Sequence, residues 1–361
     1  MKTNALEMVI VRWTLPLLIS LLFVPLLNAL NFYETDYLTY TALRYNPYVN
    51  YRLSHGDKPE WVTTSLMFYN YSGVLYRINA YNDTEITFKL KDKGEYIISH
   101  VTVLLSNVTV MTFLPKGVSP PIFWNESELI SKKTEKSHDT SFKDWMWYVF
   151  KLRRVKISGE YLIRKSDLTV IKDKLSYGHT MLFDDPGNPL KEGETFTMYP
   201  FSTTIDKITI NNEDPLKWRN ITYYPPIKTV VTNHYSFNLT QPFGKGFPVE
   251  IVQLATLIYT FDASDGKLIA TPNGGPDLWA IGILDAQFMD EYAEYRVEVE
   301  HDNSYATGLV LKSFRINERT TEEVIFNKPK TEVAYLFYGS LILVGLVIVS
   351  KSRRGTSHDK D

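Results

Sequence analysis

The sequence predicts a mainly β protein: an antiparallel, sandwich-like ectodomain, drawn as two β domains, followed by one C-terminal transmembrane helix. Three observations lead there. Short apolar runs with period-two alternation recur between turn residues along most of the chain. An uncharged hydrophobic segment stands near each end. All six Asn-x-Ser/Thr sequons fall between those two segments.

Taken in order, residues 1–29 read as a secretory signal peptide, or as an anchor left uncleaved. Lys2 and Arg12 precede the apolar run Leu15–Leu27, and Ala29 offers a small residue for cleavage while Leu27 does not fit the rule. Residues 30–122 form the expected first β block. Its strands are Val74–Ile78, Ile86–Leu90 and Tyr96–Leu104, broken at Asn82-Asp83 and Lys91–Gly94. Residues 123–144 are charged and poor in branched apolar residues, the composition of a linker or exposed excursion.

The second β block is expected over residues 145–332. One hairpin is read at Glu160–Arg164 and Leu168–Ile171, another at Leu257–Phe261 and Lys267–Ile269 about an Asp265-Gly266 turn. Further strands are expected at Thr195–Tyr199, Ile205–Ile210, Ile227–Thr232, Val249–Leu254, Tyr295–Glu300 and Thr307–Ile316. Helical spacing is read only over Leu284–Tyr292, where Leu284, Phe288 and Tyr292 share a face.

Residues 333–350 carry no charge and reach about 27 Å as a helix, close to the thickness of a bilayer's hydrocarbon core. Lys351, Arg353 and Arg354 follow at once, which places the tail 351–361 in the cytoplasm and the body of the chain outside. The expected location is the plasma membrane, single-pass, with the bilayer itself as one partner. The sequons at Asn70, Asn82, Asn107, Asn125, Asn220 and Asn238 all lie on the external side, where a glycan can be attached and solvated.

Cysteine is absent, which excludes disulfide scaffolds, zinc-thiolate sites and cysteine nucleophiles together. The formal net charge is −2 with both signs interspersed, so no basic face argues for nucleic acid. No cysteine, many aromatics and several sequons resemble, in style and without a family motif, the envelope proteins of thermophilic archaea.

Chemistry is sparse. No metalloprotease helix, nucleophile elbow, phosphate loop or dinucleotide fingerprint occurs. No cofactor is expected. Asp184-Asp185 and Asp262–Asp265 place several hard oxygens on tight turns, as calcium requires, although Asp also makes ordinary turns. His100 and His179, both in expected strands, are the histidines best placed for a metal, against the commoner role of hydrogen-bonded structure. The acidic stretch from Asp290 to Asp302 has the residue types of a carboxylate pair, but Glu298 and Glu300 alternate with Val297 and Val299 as a solvated strand face would. Trp145 and Trp147, and Tyr223 with Tyr224, form aromatic clusters suited to stacking a sugar or a proline, or simply to packing on a pleated surface.

These readings converge on a membrane-anchored extracellular glycoprotein with a structural, adhesive or ligand-recognition role, working with an envelope protein or a glycan. The alternative is a membrane-tethered hydrolase, or a cofactor- or solute-binding subunit of a membrane complex. Enzymatic activity is not indicated by any motif.

Overall fold

A computed structural model of the chain describes residues 36–138, 142–199, 201–238, 251–254, 256–316 and 319–320. The expected signal segment, transmembrane helix and tail lie outside the described residues. Among the described residues no helix is long and apolar enough to cross a membrane.

The chain is mainly β, and its strands close a 12-strand antiparallel barrel with extra strands. Around the ring the order is β1 (Asp36–Ala42), β4 (Thr84–Lys93), β5 (Tyr96–Pro115), β7 (Trp145–Arg164), β8 (Thr169–Lys172) and β9 (Leu175–His179). It continues through β10 (Thr195–Met198), β11 (Phe201–Asn211), β14 (Ile227–Thr232), β17 (Ile258–Asp262), β18 (Leu268–Thr271) and β20 (Leu309–Ile316), which pairs back onto β1. The expected sandwich is therefore corrected to a barrel. Alternation reports one dry and one wet face and is the same in both architectures. Closure depends on contacts such as Tyr37↔Arg315 and Met198↔Gly178, which no local pattern encodes.

Gly178 shows how tight one of those closures is. Its φ is +115°, and a Cβ there would stand 1.7 Å from the Thr197 carbonyl oxygen, so only glycine lets β9 reach β10.

β5 and β7 pair along their whole length, from Tyr96↔Arg164 to Pro115↔Trp145. Their barrel halves end at a kink at Asn107, whose φ of +51° is left-handed, a conformation asparagine tolerates better than most residues. Beyond it they leave the barrel and pair with β3 (Val74–Ala80) and β6 (Leu129–Lys136), while β2 (Ser65–Tyr71) and β19 (Ile283–Phe288) extend that second sheet. The residues at 123–144, expected to be linker or excursion, thus hold an exposed edge strand. Strands from either side of them share one sheet within a compact unit that ends at Thr321.

The barrel's inward face is apolar. Ile86, Phe88, Val101, Val103, Val155, Ile157, Val230, Tyr259 and Phe261 are buried on it, whereas Lys89, Lys91, His100, Lys156 and Glu160 on the opposite face are exposed. That is the reverse of a membrane-spanning barrel, whose outside is apolar. Twelve strands enclose more space than their own side chains fill, and the segments 180–185 and 273–281 pack into it. Ile281 lies against Gly159, where a Cβ would approach to 2.4 Å of Ile281 Cγ2. The Tyr259 hydroxyl donates to the Gly274 carbonyl at 3.3 Å.

Two local expectations are reversed. Leu284–Tyr292, expected to be a helix, begins as strand β19, and Tyr295–Glu300, expected to be a strand, is a π-helical turn. β19 is buried on both faces, so it lacks the alternation that marks a half-buried strand. Asp290 then caps a short helix by accepting from the Ala293 N–H at 3.0 Å, and that helix carries the Glu/Val run into helical geometry.

Candidate functional site

Where the barrel meets the second sheet, an open cleft of about 930 Å³ is lined by five chain segments. Arg44–Pro47 lead from β1 into helix α1 (Asn46–Ser54); Asn82 and Asp83 form the β3–β4 turn; Ser106 and Asn107 are the kink of β5; and Ile130, Arg153 and Arg154 come from β6 and β7. Backbone hydrogen bonds hold the parts in place. The Arg44 N–H donates to Asp83 Oδ1 at 2.9 Å, Tyr81 N–H to the Asn107 carbonyl at 2.9 Å, and Asn82 N–H to the Ser106 carbonyl at 3.2 Å.

The kink presents the arginines. Leu152 and Val155 are both buried, and between them Arg153 and Arg154 are both exposed, because the register skips Asn107 and Arg153. Two charged residues in succession on an alternating strand are the local mark of such an irregularity. Arg153 is held to the Ser127 carbonyl and to Glu128, whose Oε2 lies 3.5 Å from its Nε. Arg154 has no carboxylate partner among the described residues. Helix α1 opens on the cleft with Pro47 in its first turn, no acidic residue there and no side-chain cap.

Arg44 connects the cleft to a buried acidic cluster. Its guanidinium donates to Glu291 Oε1 at 2.7 Å and to the Val62 carbonyl at 3.0 Å, and the Tyr45 N–H donates to Glu291 Oε2 at 2.7 Å. Asp290 accepts from the Leu43 N–H at 3.0 Å and from Trp218 Nε1 at 3.1 Å. Tyr48 of α1 donates to Glu298 at 2.8 Å. Burial pushes Glu291 up to about 7, against the opposing pull of the Tyr45 N–H and Arg44. Burial, then repulsion from Glu298 and Asp290, pushes Glu294 up to about 7 as well.

A pH dependence of stability follows. Both carboxyls bind protons more tightly folded than unfolded, so between about pH 4.5 and 7 the native state holds more protons and stability falls as pH rises. Above pH 7 the cost of burying the charges is fully present, about 2 kcal/mol for each after solvent screening is allowed for. We expect the urea midpoint of the wild type to drop between pH 5.5 and 8 by more than that of Glu294→Gln. Identical slopes for the two proteins would refute this.

The residues singled out in the sequence are placed elsewhere. Asp184 is buried inside the barrel and takes the Lys228 ammonium at 2.6 Å, while Asp185 caps its own turn by accepting from the Gly187 N–H at 2.8 Å. Asp262 and Asp265 both receive Lys267 Nζ, at 2.6 and 2.7 Å. Lysine ammonium groups thus face Asp184, Asp262 and Asp265, and no group of three metal-ligating side chains occurs among the described residues. His100 lies 3.0 Å from Glu160 on the outer face of the barrel, and His179 Nδ1 is 2.7 Å from the Thr180 carbonyl with its basicity lowered by burial. At the Asp265-Gly266 turn only Gly266 takes a positive φ.

The aromatic pairs separate too. Trp145 and Trp147 stack against Phe113 at 5.2 and 4.6 Å, at the far end of the β5–β7 ribbon from the barrel. Tyr223 is buried with its hydroxyl on the Leu311 carbonyl, and Tyr224 is half-buried. Among the sequon residues, Asn82, Asn107, Asn125 and Asn220 are exposed and Asn70 is half-buried in β2. The Asn238 side chain lies outside the described residues. Sequence reasoning missed the arginine cleft, and the signal that marks it is the Arg153-Arg154 doublet.

Comparison with protein-family models, curated proteins and solved structures finds no match to this chain.

Proposed function

We propose that this chain is a membrane-anchored extracellular glycoprotein whose β ectodomain recognises a ligand at the Arg44–Arg154 cleft. The carrying observation is Arg154 beside Arg153, exposed and without a carboxylate partner among the described residues, in an open cleft of about 930 Å³. The anchor is the apolar segment 333–350, with the basic residues after it on the cytoplasmic side. Exposed sequon asparagines support display outside the cell, since an attached glycan needs solvent. The hydrolase alternative calls for facing carboxylates, whereas this cleft is lined by three arginines and one carboxylate, Asp83.

The test is glycopeptide mass spectrometry of the full chain from its own cells, combined with labelling of intact cells by a membrane-impermeant amine reagent. Glycans on Asn125 or Asn220, the exposed sequon residues outside the cleft, with surface lysines labelled in unbroken cells, are expected. Bare sequons and labelling only after lysis would overturn the reading.

A further inference from the structure

We propose that the cleft is an oxyanion site: a sulfate-, phosphate- or carboxylate-bearing ligand seats on Arg154, and Arg44 joins it in proportion to the protonation of Glu291. This rests on the cleft being the ligand site. The chemistry of the lining points to an anion. Arginine's planar fork of N–H donors matches the geometry of an oxyanion and holds its charge at every physiological pH.

The regulation comes from the sharing of Arg44. Arg44 lines the cleft, and its guanidinium lies 2.7 Å from Glu291 Oε1. With Glu291 ionised, the pair is neutral and contributes little to an anion. With Glu291 protonated, the hydrogen bond survives but the cleft gains one net positive charge. Burial already holds that carboxyl near neutrality.

Other groups face the pair from every side. Asp290 adjoins Glu291, Glu294 and Glu298 follow on the same turn, Arg52 and Tyr48 approach from α1, and Asp83 caps the Arg44 N–H. Of these Glu294 also titrates in the same range, so its variant is the control.

Inorganic sulfate is the probe, because its charge does not change between pH 6 and 8. Binding to the full chain in detergent is measured by calorimetry at low ionic strength, where exposed charges are least screened. We expect sulfate to bind about fivefold more tightly at pH 6 than at pH 8, the effect of about one added charge near a protein surface. Glu291→Gln should give the pH 6 affinity at both pH values, and Glu294→Gln should keep most of the pH dependence. Arg154→Glu should weaken sulfate at least tenfold while leaving the melting profile in place.

A sulfated oligosaccharide and its desulfated form separate the two sources of the group. Competition of the sulfated form with inorganic sulfate identifies an acidic glycan, and sulfate binding without it identifies a free anion. Sulfate binding that survives in Arg154→Glu places the anion elsewhere and overturns the site. Pronounced pH dependence retained in Glu291→Gln overturns the regulation. Absence of sulfate binding together with Arg154-dependent binding of the desulfated glycan would refute the oxyanion assignment and leave the recognition reading intact, whereas no binding of any probe would sink both.

Discussion

Asp277→Ala is expected to lower stability by about 3–5 kcal/mol, because three donors at the centre of the barrel lose their acceptor at once. The Tyr161 and Thr180 hydroxyls both donate to Asp277 Oδ1 at 2.6 Å, and the Met181 N–H donates to Oδ2 at 2.6 Å. Asp277 is fully buried, in a helical turn that spans Pro276–Trp279. No basic side chain contacts it among the described residues, and burial raises its carboxyl above the usual range. The carboxylate thus joins β7 to both segments that fill the barrel, and its charge is stabilised only by hydrogen bonds.

Asp277→Asn separates shape from acceptor count. Its carbonyl can still receive both hydroxyls, but its amide would face the Met181 N–H, donor against donor. We expect about 2 kcal/mol for Asn, clearly less than for Ala. Urea denaturation followed by tryptophan fluorescence reads both, with Trp279 two residues away as reporter. Equal losses for the two variants, or a loss below 1 kcal/mol for Ala, would refute the role assigned to this carboxylate.

The second large effect is at Lys228, a lysine aimed into the barrel. Its register partners place it beside Phe261, on the face that also carries Val230 and Tyr259. Its ammonium contacts Asp184 at 2.6 Å and the Leu190 carbonyl at 3.0 Å, and Asp184 also accepts from the Leu190 N–H at 2.9 Å. Lys228→Met leaves Asp184 with a buried charge and one remaining hydrogen bond, and is expected to cost about 3–5 kcal/mol. The double variant Lys228→Met, Asp184→Leu removes both charges and should recover most of that loss, since a buried ion pair is stabilised little relative to apolar packing. Additive losses in the double variant would show that the pair itself, and not an orphaned charge, carries the stability.

Much of the strand layout was legible because alternation is a local consequence of half-burial. Ile227–Thr232 is β14 with the expected bounds, and the hairpins about Lys165–Asp167 and Asp265-Gly266 form as β7–β8 and β17–β18. Errors fall where locality fails. β19 is dry on both faces and carries no alternation, while Tyr295–Val299 alternates and yet follows a capped helix. At the acidic turns Asp184 and Asp262–Asp265, read either as calcium-binding or as ordinary turns, lysines supply the cation. Which cation was undecidable locally for Asp184, because Lys228 arrives from 44 residues away.

The sequence by itself determined that the chain is mainly β and antiparallel, that cysteine chemistry is excluded, and where most strands begin and end. Those properties depend on side-chain type and on spacing within a few residues. Tertiary structure alone decided that the sheet closes on itself through β20 and β1, and that Lys228 reaches the acidic turn at Asp184. It also decided that Arg44, Asn82, Asn107 and Arg154 share one cleft. Each of these depends on contacts between residues far apart in the sequence, and within the strands a register shift of a single residue would turn a side chain to the opposite face.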